Sequence, residues 1–339
     1  MFSNKSIIIT GGTGSFGSSF VTFLNRKFKF RRIIIYSRDE QKQHFLMQRF
    51  KKSNFRFFIG DVRDLDRLKF AMRDVDIVIH AAALKHIDLA EYNPFEVVKT
   101  NILGAQNVIY AALDNKVEKV IALSTDKASS PINLYGATKL TSDKLFTSAN
   151  NFKGKIRTIF SVVRYGNVMG SRGSVVPIFL DQIKKSHFLI TDLKMTRFNI
   201  TLDESVNFVI KCLKMMIGGE LFVPKLPSYK LLDLVYAIKK NAKIKVLGIR
   251  PGEKLHEEMI SSSDSVNCLE FDNFFIIKPH KFEEKEWDVK KFMTKNRLRN
   301  FKNFKKDFSY NSFNNNHYLT REEIAKLIKK NVLGGDILN

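Results

Sequence analysis

The chain has 339 residues, of which 44% are hydrophobic, and it carries a formal net charge of +23. This length and apolar content indicate a globular protein with one large domain, or a large domain with a smaller one attached. No stretch approaches the roughly 18 consecutive apolar residues of a membrane span. The N-terminus also lacks the long apolar run and cleavage site of a signal peptide. We therefore expect a soluble, cytoplasmic protein with no membrane partner.

The positive charge is concentrated in one stretch near the C-terminus. From Val289 to Lys306 the chain has basic residues and no acidic one, interleaved with Phe292, Phe301 and Phe304. Basic residues with aromatics between them are one way of gripping nucleic acid, but no nucleic-acid-binding signature accompanies the stretch. We interpret it as a solvated basic face with buried Phe anchors, and we expect no nucleic-acid partner.

The sequence does not indicate metal chemistry. Cys212 and Cys268 are the only cysteines, and they are too far apart in the sequence for a CxxC motif or a Cys/His cluster. The stretch HEEM at His256–Met259 begins like a zinc-protease helix, but Ile260 stands where that motif needs a second His. We predict no metal site and two cysteines in the core.

The first half of the chain alternates short apolar runs with longer helical patterns. The runs are SIIIT (6–10), IIIY (33–36), FRFFI (55–59), DIVIHA (76–81), KVIALS (119–124) and TIFSVVRYG (158–166). Runs of this kind are typical of strands covered on both faces, and the helices between them specify right-handed βαβ crossovers. The predicted fold class is α/β: a doubly wound, parallel Rossmann sheet with a smaller C-terminal substrate-binding lobe.

A glycine-rich turn, GGTGSFG, joins the first strand to a helical pattern. Its three spaced glycines allow a tight turn, close approach of the backbone to a pyrophosphate, and close packing of helix on strand. The helix N-terminus that follows favours anions. We therefore predict a dinucleotide-binding site here, with contacts from Gly11, Thr13, Gly14, Ser15, Phe16 and Gly17.

The end of the second strand bears on which dinucleotide is bound. An acidic side chain there accepts from the 2'-hydroxyl of NAD, whereas Arg pairs with the 2'-phosphate of NADP. Ser37 and Arg38 favour NADP, although Asp39 and Glu40 follow closely. The loops after the third and fourth strands are expected to flank the adenine and a cofactor ribose, through Asp61, Val62, Ala81, Ala82 and Ala83.

The chain falls into three parts on this reading. An NADP-binding Rossmann core spans 1–166, and a substrate-binding lobe at 167–280 follows where glycines become frequent and the rhythm less regular. Strands and helices of the lobe are free to return to the core. A basic tail and a terminal helix occupy 281–339, where Thr320 and Glu323 are spaced as a capping box.

The stretch STDKASSPINLYGATK, residues 124–139, contains two pairs of acid–base side chains. Tyr135 and Lys139 are one helical turn apart, and we expect the cation of Lys139 to lower the pKa of the phenol and make it a useful base. Asp126 and Lys127 form a second pair just upstream. Oxidation of a simple alcohol does not need that second pair.

The glycine spacing together with Tyr135-x-x-x-Lys139 resembles the extended short-chain dehydrogenase/reductase family. Longer runs resemble the inverting UDP-N-acetylglucosamine 4,6-dehydratases, the first enzymes of pseudaminic acid synthesis. YNS at Tyr310–Ser312 is similar to the C-terminal end of that family, and the similarity is weakest between about 281 and 308. The runs that carry the resemblance are GGTGSFG, YSRDE, AAALKH, STDKASSPINLYGATK, VRYGNVMGSRGSVVP, MTRF and RPGEKLHE.

The resemblance implies a UDP-N-acetylglucosamine 4,6-dehydratase that inverts C5 and gives UDP-2-acetamido-2,6-dideoxy-β-L-arabino-hex-4-ulose. Such a lyase oxidises C4 with tightly bound NADP, eliminates water across C5 and C6, and returns the hydride to C6. Tyr135 and Lys139 would act at C4, and Thr125 or Ser124 would hydrogen-bond the C4 oxygen. Two further roles are implied: Asp126 would protonate the leaving C6 hydroxyl, and Lys127, partly neutralised by burial, would take the C5 proton.

The resemblance also implies a substrate site and an assembly. Cations and amides would hold the diphosphate, Lys85 would approach the sugar, Val175 would line the uracil side, and Glu253 would lie near the uridine ribose. A homo-oligomer such as a hexamer is implied as well. The predicted substrate-binding residues are Lys85, Asn167, Val175, Arg197, Arg250 and Glu253.

Several alternatives remain open from the sequence. A UDP-N-acetylglucosamine 5-epimerase/4,6-dehydratase and a retaining dehydratase are similar in sequence, but such members commonly have Met in place of the active-site Tyr, and the retaining ones often carry membrane spans. A UDP-sugar 4-epimerase would have no use for Asp126 and Lys127. A non-catalytic nucleotide-sensing or nucleic-acid-associated Rossmann protein would have no use for either pair.

Overall fold

The computed structural model describes residues 2–171, 173–280 and 287–333 of the chain. The strands are β1 (Ser6–Thr10), β2 (Arg32–Ser37), β3 (Phe55–Ile59), β4 (Ile77–His80), β5 (Lys119–Thr125), β6 (Ile159–Tyr165), β7 (Phe188–Ile190), β8 (Thr196–Phe198), β9 (Leu221–Pro224), β10 (Ser228–Lys230), β11 (Ile244–Val246), β12 (Glu258–Ile260), β13 (Cys268–Glu270), β14 (Phe274–Ile277), β15 (Lys302–Asn303) and β16 (Tyr310–Asn311).

The helices lie between these strands. They are α1 (Ser15–Lys27), α2 (Glu40–Arg49), α3 (Leu65–Ala71), α4 (Ile87–Tyr92), α5 (Pro94–Val98), α6 (Gly104–Asp114), α7 (Leu134–Phe152), α8 (Val175–Asp181), α9 (Leu202–Met215), α10 (Leu231–Ile238), α11 (Ser262–Ser265), α12 (Val289–Asn296) and α13 (Arg321–Ile328). Short helical turns occupy Asp126–Ala128 (3-10) and Lys99–Leu103 and Lys329–Leu333 (both π).

The apolar runs of the first half form one parallel sheet. Strands β1 to β6 coincide with the predicted runs to within one residue at each end. Among the described residues the sheet has the order β15-β13-β14-β9-β6-β5-β4-β1-β2-β3, parallel from β9 to β3 and antiparallel where β14, β13 and β15 are added. The reversal of strand order between β1 and β4 produces a crevice at the carboxyl ends of the strands. The predicted α/β Rossmann fold is confirmed.

Two hydrophobic clusters show how the second half of the chain is distributed. The larger cluster surrounds the sheet and includes residues of α9, β9, β13, β14 and α12. The smaller one joins α8, β7 and α10 with α13, whose Ile324 and Ile328 are buried in it. Thr320 and Glu323 form the predicted capping box at the start of α13. The C-terminal helix therefore packs into the lobe, while strands of 221–277 return to the sheet.

The basic stretch is attached to the sheet by aromatic side chains. Phe292 of α12 is fully buried, with ring centroids 5.9 Å from Phe271 and 6.2 Å from Phe222. Phe304 is buried against Phe275, whereas Phe301 is 39% exposed. The basic side chains between 290 and 306 are exposed. The parts of the predicted tail at 281–286 and 334–339 lie outside the described residues.

Three further findings concern membrane spans, metal sites and the two cysteines. In the described ranges, no helix is long and apolar enough to cross a membrane. Within the same residues there is no group of three or more His, Cys, Asp or Glu side chains suited to a metal ion. Cys212 and Cys268 are both buried, as the sequence predicted.

We expect Phe292→Ala to lower the free energy of unfolding by about 3 kcal/mol, because removing a fully buried ring leaves a cavity in the core. Urea unfolding followed by circular dichroism measures this change. Phe301→Ala is the matched control, with an expected loss of about 1 kcal/mol or less because the ring is already partly in water. Equal losses in the two variants would show that Phe292 does not anchor α12.

Candidate active site

Two adjoining cavities lie over the carboxyl ends of the parallel strands, between the sheet and the lobe. One, of about 630 Å³, follows the glycine-rich turn and the ends of β2, β3 and β4. The other, of about 520 Å³, is enclosed by α8, β8 and the loop at 247–257. Lys85, His86 and Gly173 line both, so the two cavities form a continuous crevice.

The turn between β1 and α1 has the backbone that a dinucleotide needs. Gly11 has φ +67°, and a Cβ at Gly17 would lie 2.5 Å from the Gly11 carbonyl oxygen. Gly14 is the N-cap of α1 and offers no side chain to the first N–H groups of the helix. Backbone donors therefore face the first cavity. The lining includes Gly11, Thr13, Gly14, Ser15, Phe16, Gly17, Ser37, Arg38, Asp61, Val62, Ala81, Ala82 and Ala83.

Charged side chains follow β2 at the end of the first cavity. Arg38 is about half exposed at the cavity, with Nη1 3.5 Å from Asp61 Oδ2, and Lys42 also lines the cavity. Asp39, the nearest candidate for a ribose hydroxyl, instead caps α2 by accepting from the Lys42 backbone N–H at 2.9 Å. Its other carboxylate oxygen contacts Lys42 Nζ. Asp39 is thus engaged by the helix, and the cations of Arg38 and Lys42 at this end of the cavity each contact an acidic side chain.

The second cavity brings together the predicted substrate-binding residues. Arg197 is buried and aligned by its own strand, because Nη1 donates to the Thr196 carbonyl at 2.7 Å and to the Leu255 carbonyl at 3.1 Å. Asn167 Oδ1 and Ser174 Oγ are buried and have no hydrogen-bond partner among the described residues. The cavity therefore presents a cation and unpaired polar atoms. Its lining includes Lys85, Asn167, Val175, Arg197, Arg250 and Glu253.

Helix α7 carries Tyr135 and Lys139, as predicted. Asn133 caps the helix by accepting from the Gly136 N–H at 2.8 Å. A Cβ at Gly136 would lie 2.2 Å from the Lys127 carbonyl oxygen, so glycine is needed for α7 to approach the 126–128 turn. The side chain of Thr125 is hydrogen-bonded to the Tyr135 phenol.

The electrostatics of this pair differ from the expectation. Burial raises the pKa of Tyr135 to about 12, and the cation that opposes the shift is that of Lys127. Lys139 Nζ donates to the Leu123 carbonyl at 2.7 Å, and burial lowers its own pKa. The predicted lowering of the Tyr135 pKa by Lys139 is therefore wrong in direction, because desolvation of the phenol outweighs the neighbouring charges.

Asp126 and Lys127 occupy the 3-10 turn that follows β5. Asp126 is fully buried, and its Oδ1 accepts from Thr125 Oγ1 at 2.9 Å and from Lys127 Nζ at 3.1 Å. Its Oδ2 has no hydrogen-bond partner among the described residues. Burial raises the pKa of this carboxyl in spite of the ammonium beside it, which favours a protonated acid.

Lys127 does not have the lowered pKa that the sequence suggested. Burial acts to lower its pKa, but the carboxylates of Asp126 and Glu257 outweigh burial and raise it above the ordinary lysine value. Nζ lies 3.2 Å from Glu257 Oε1. The prediction of a partly neutralised ammonium is therefore wrong, since two acidic neighbours stabilise its charge.

Sequence reasoning missed two features of the site. Glu257 closes the run RPGEKLHE, yet only Arg250 and Glu253 of that run were considered; it is buried and lines the second cavity. Ser124 was one of two candidates for the C4 oxygen, but its Oγ donates to Asp143 Oδ2 at 2.7 Å. Both the position of Glu257 and the partner of Ser124 depend on contacts between residues distant in sequence. The only hint in the sequence was that the run RPGEKLHE ends in a glutamate.

The chain is similar to known proteins over most of its length. Residues 7–279 match the family model described as polysaccharide biosynthesis protein. A UDP-N-acetylglucosamine 4,6-dehydratase (inverting) from Campylobacter jejuni is 53% identical over 97% of this chain and 98% of its own. A UDP-glucose 4-epimerase from Rickettsia bellii is 43% identical over 82% of this chain and 84% of its own. The solved structure of Pen from Bacillus thuringiensis has a TM-score of 0.86 at 40% identity and covers 97% of this chain and 98% of its own.

Proposed function

Since the chain belongs to the polysaccharide biosynthesis protein family, among the inverting UDP-N-acetylglucosamine 4,6-dehydratases of the extended short-chain dehydrogenase/reductase family, we propose that it catalyses that reaction. It is then a lyase that converts UDP-N-acetylglucosamine to UDP-2-acetamido-2,6-dideoxy-β-L-arabino-hex-4-ulose. The observation that carries the proposal is the contact of the buried Asp126 with Lys127 next to Tyr135. Elimination needs such a pair, and epimerisation does not.

The cofactor of the proposal is NADP, bound in the first cavity. The glycine turn fits a pyrophosphate because Gly17, where a Cβ would strike the Gly11 carbonyl oxygen, lets the N-terminus of α1 pack closely against the turn. Arg38 and Lys42 are suited to a 2'-phosphate, since charge-assisted hydrogen bonds favour that group over a hydroxyl. When bound, the nicotinamide would accept a hydride from C4, supply one to C6, and add positive charge to the site.

Tyr135 takes the proton of the C4 hydroxyl in this proposal. Its phenol is poorly ionised without help, because burial raises its pKa; neighbouring positive charge is needed for the phenolate to form. The ammonium of Lys127 supplies part of that charge. Thr125, hydrogen-bonded to the phenol, is placed to hydrogen-bond the same C4 oxygen.

Asp126 and Lys127 then perform the elimination. Burial raises the pKa of Asp126, which suits the role of an acid, and in this proposal Asp126 gives a proton to the C6 oxygen, which leaves as water. Lys127 takes the C5 proton through Nζ, which gives up one of its own protons to do so. The product has a ketone at C4, so Tyr135 must pass on the proton that it took from the C4 hydroxyl. In this proposal that proton goes to C5, on the face opposite Lys127, because this inverts the configuration at C5.

The second cavity holds the nucleotide in this proposal. Arg197 and Arg250 pair with the diphosphate, Asn167 contributes its unpaired amide oxygen, and Lys85 approaches the sugar. Val175 and Glu253 lie toward the uridine. We further propose a cytoplasmic homo-oligomer such as a hexamer, with UDP-N-acetylglucosamine as its small-molecule partner.

A UDP-sugar 4-epimerase is the second candidate, because the Rickettsia bellii relative of that name is 43% identical over 82% of this chain. Both reactions begin with oxidation at C4 and use the same cofactor cavity. They differ in the need for an acid at C6 and a base at C5. Asp126, which is fully buried and whose pKa is raised by burial, favours the dehydratase.

The product of UDP-N-acetylglucosamine turnover, followed by proton NMR in deuterated water, tests the proposed function. We expect a 4-keto-6-deoxy sugar with deuterium at C5, inverted configuration there, and no net consumption of NADP. Asp126→Asn should lower the rate at least about 100-fold because it removes the acid, while NADP still binds. A product with retained C5 configuration, or UDP-N-acetylgalactosamine, would contradict the proposal.

Binding of the two dinucleotides tests the choice of NADP. Arg38→Ala should weaken NADP at least about tenfold, as expected for the loss of a hydrogen bond to a charged group (~1.5–3 kcal/mol), and should leave NAD unchanged. Isothermal titration calorimetry measures both affinities. Arg56→Ala, outside the cavity lining, is the matched control and should change neither. Equal weakening of NAD and NADP by Arg38→Ala would show that Arg38 does not read the 2'-phosphate.

A further inference from the structure

Three ionisable side chains share one buried contact beside the substrate cavity. Lys127 Nζ lies 3.1 Å from Asp126 Oδ1 and 3.2 Å from Glu257 Oε1. Both carboxyl groups are almost completely buried, with side chains 1% and 5% exposed. Glu257 Oε2 is buried and has no hydrogen-bond partner among the described residues. The Lys127 ammonium therefore bridges two carboxyl groups, and one oxygen of Glu257, Oε2, is not used in these contacts.

The backbone around Glu257 is tied to the C-terminal YNS segment. The Glu257 N–H donates to Ser312 Oγ at 3.0 Å, and the Ser312 N–H donates to the Glu257 carbonyl at 2.7 Å. Ser312 is fully buried, and its hydroxyl lies 2.6 Å from Thr196 Oγ1. These contacts hold Glu257 between β8 and the strand pair β12–β16.

Residues close to Glu257 in the sequence form hydrogen bonds with Ser129 and Ser130, which follow the 126–128 turn. Lys254 Nζ donates to the Ser129 carbonyl at 2.6 Å. The hydroxyls of Ser129 and Ser130 donate to Glu258 Oε1 at 3.0 and 2.7 Å. Ser130 has φ +42°, a strained conformation for serine, so the turn depends on these contacts. These contacts therefore fix the position of Glu257 relative to Lys127.

The chemistry of the site requires a proton acceptor for Lys127. An amine removes a proton from carbon only through its free electron pair, and the ammonium of Lys127 has none. Asp126 is already committed as the acid for the C6 oxygen. We propose that Glu257 is a positioning residue that takes the Nζ proton of Lys127 across their 3.2 Å contact and so makes Lys127 the base for C5. This inference rests on the proposed dehydratase function.

The protons balance over one turnover. At rest, Asp126 is protonated, Lys127 is an ammonium and Glu257 is a carboxylate. As Nζ takes the C5 proton, one of its own protons passes to Glu257, and Asp126 protonates the departing C6 oxygen, so Lys127 keeps its charge throughout. Lys127 then passes a proton to Asp126 and regains one from Glu257. No oxidant or further reactant is needed, and the resting state returns.

The charge of Glu257 also controls how the other two groups titrate. Other ionisable groups that face this cluster are Arg197 on β8, Tyr229 on β10, Tyr135 on α7, and Lys254. Glu257 raises the pKa of Asp126 and of Lys127, while Lys127 and Arg197 outweigh burial and lower the pKa of Glu257 itself. Removing its charge lowers both values, so Asp126 loses its proton at a lower pH. The alkaline limb of the rate profile then moves toward lower pH.

Glu257→Gln and Glu257→Asp test the inference with UDP-N-acetylglucosamine and the NADP-bound enzyme. We expect Glu257→Gln to lower kcat for dehydration at least about 100-fold, with little change in KM and an alkaline limb at lower pH. Reduced nicotinamide should still form on mixing, because Tyr135 and Lys139 are unchanged, while exchange of the C5 proton with solvent stops. Glu257→Asp keeps the charge and should keep the wild-type position of the alkaline limb.

Glu270→Gln is the control for loss of one carboxylate, since Glu270 on β13 pairs with Lys225 and neither residue lines the two cavities, and it should behave as wild type. Wild-type C5 exchange and pH profile in Glu257→Gln would overturn the inference. Loss of reduced-nicotinamide formation together with dehydration in that variant would also overturn it, in favour of a structural role. If the wild-type enzyme itself forms no 4-keto product, the proposed function fails instead.

Discussion

The contact of the Lys127 ammonium with two buried carboxyl groups is the interaction on which the site depends. A buried charge without partners costs several kcal/mol, so Lys127 is stable in this position only because Asp126 and Glu257 are both within 3.2 Å of Nζ. Two carboxyl groups that share one cation cannot both ionise freely. Burial raises the pKa of Asp126 in spite of that cation, whereas Lys127 and Arg197 lower the pKa of Glu257. The proposed acid, Asp126, and the proposed base, Lys127, are therefore both set by the contact of Lys127 with the two carboxyl groups.

Two glycines allow the backbone to approach closely enough to form that contact. Gly136 allows α7 to lie against the 126–128 turn, since any side chain there would strike the Lys127 carbonyl. Gly166, after β6, leaves room beside Phe198 and Asp126 Oδ2, where a Cβ would lie 2.7 Å from the Phe198 Cβ and 3.4 Å from Oδ2. The catalytic turn is thus fixed by backbone approach as well as by ion pairs.

A second buried ion pair ties the catalytic helix to the rest of the protein. Asp143, two turns after Tyr135 on α7, lies 3.1 Å from Arg164 Nη2 on β6, and both side chains are almost fully buried. Arg164 also donates to the Met259 carbonyl at 3.0 Å. The helix that holds Tyr135 is therefore linked through β6 to β12, next to Glu257. Rigid support of this kind keeps catalytic groups in their productive geometry.

The sequence predicted the sheet and most of the cavity lining but not the charge states. Strands β1 to β6 are continuous apolar runs, and the glycine turn has a fixed spacing, so local pattern was sufficient. Directions of pKa shifts depend on neighbours distant in sequence: Lys127 meets Glu257 through the return of the chain at β12. The same holds for Ser124, whose hydroxyl is used by Asp143. Neither contact leaves a periodic or compositional signal.

Titration of the Lys127 side-chain nitrogen by NMR tests this account most directly. The protein is labelled with ¹⁵N-lysine, and the signal is assigned by its loss in Lys127→Arg. We predict an ammonium that keeps its proton to a pH above that of an ordinary lysine, because two buried carboxyl groups contact it. A neutral amine near pH 7 in the NADP-bound protein would contradict the account, since Lys127 would then need no proton acceptor.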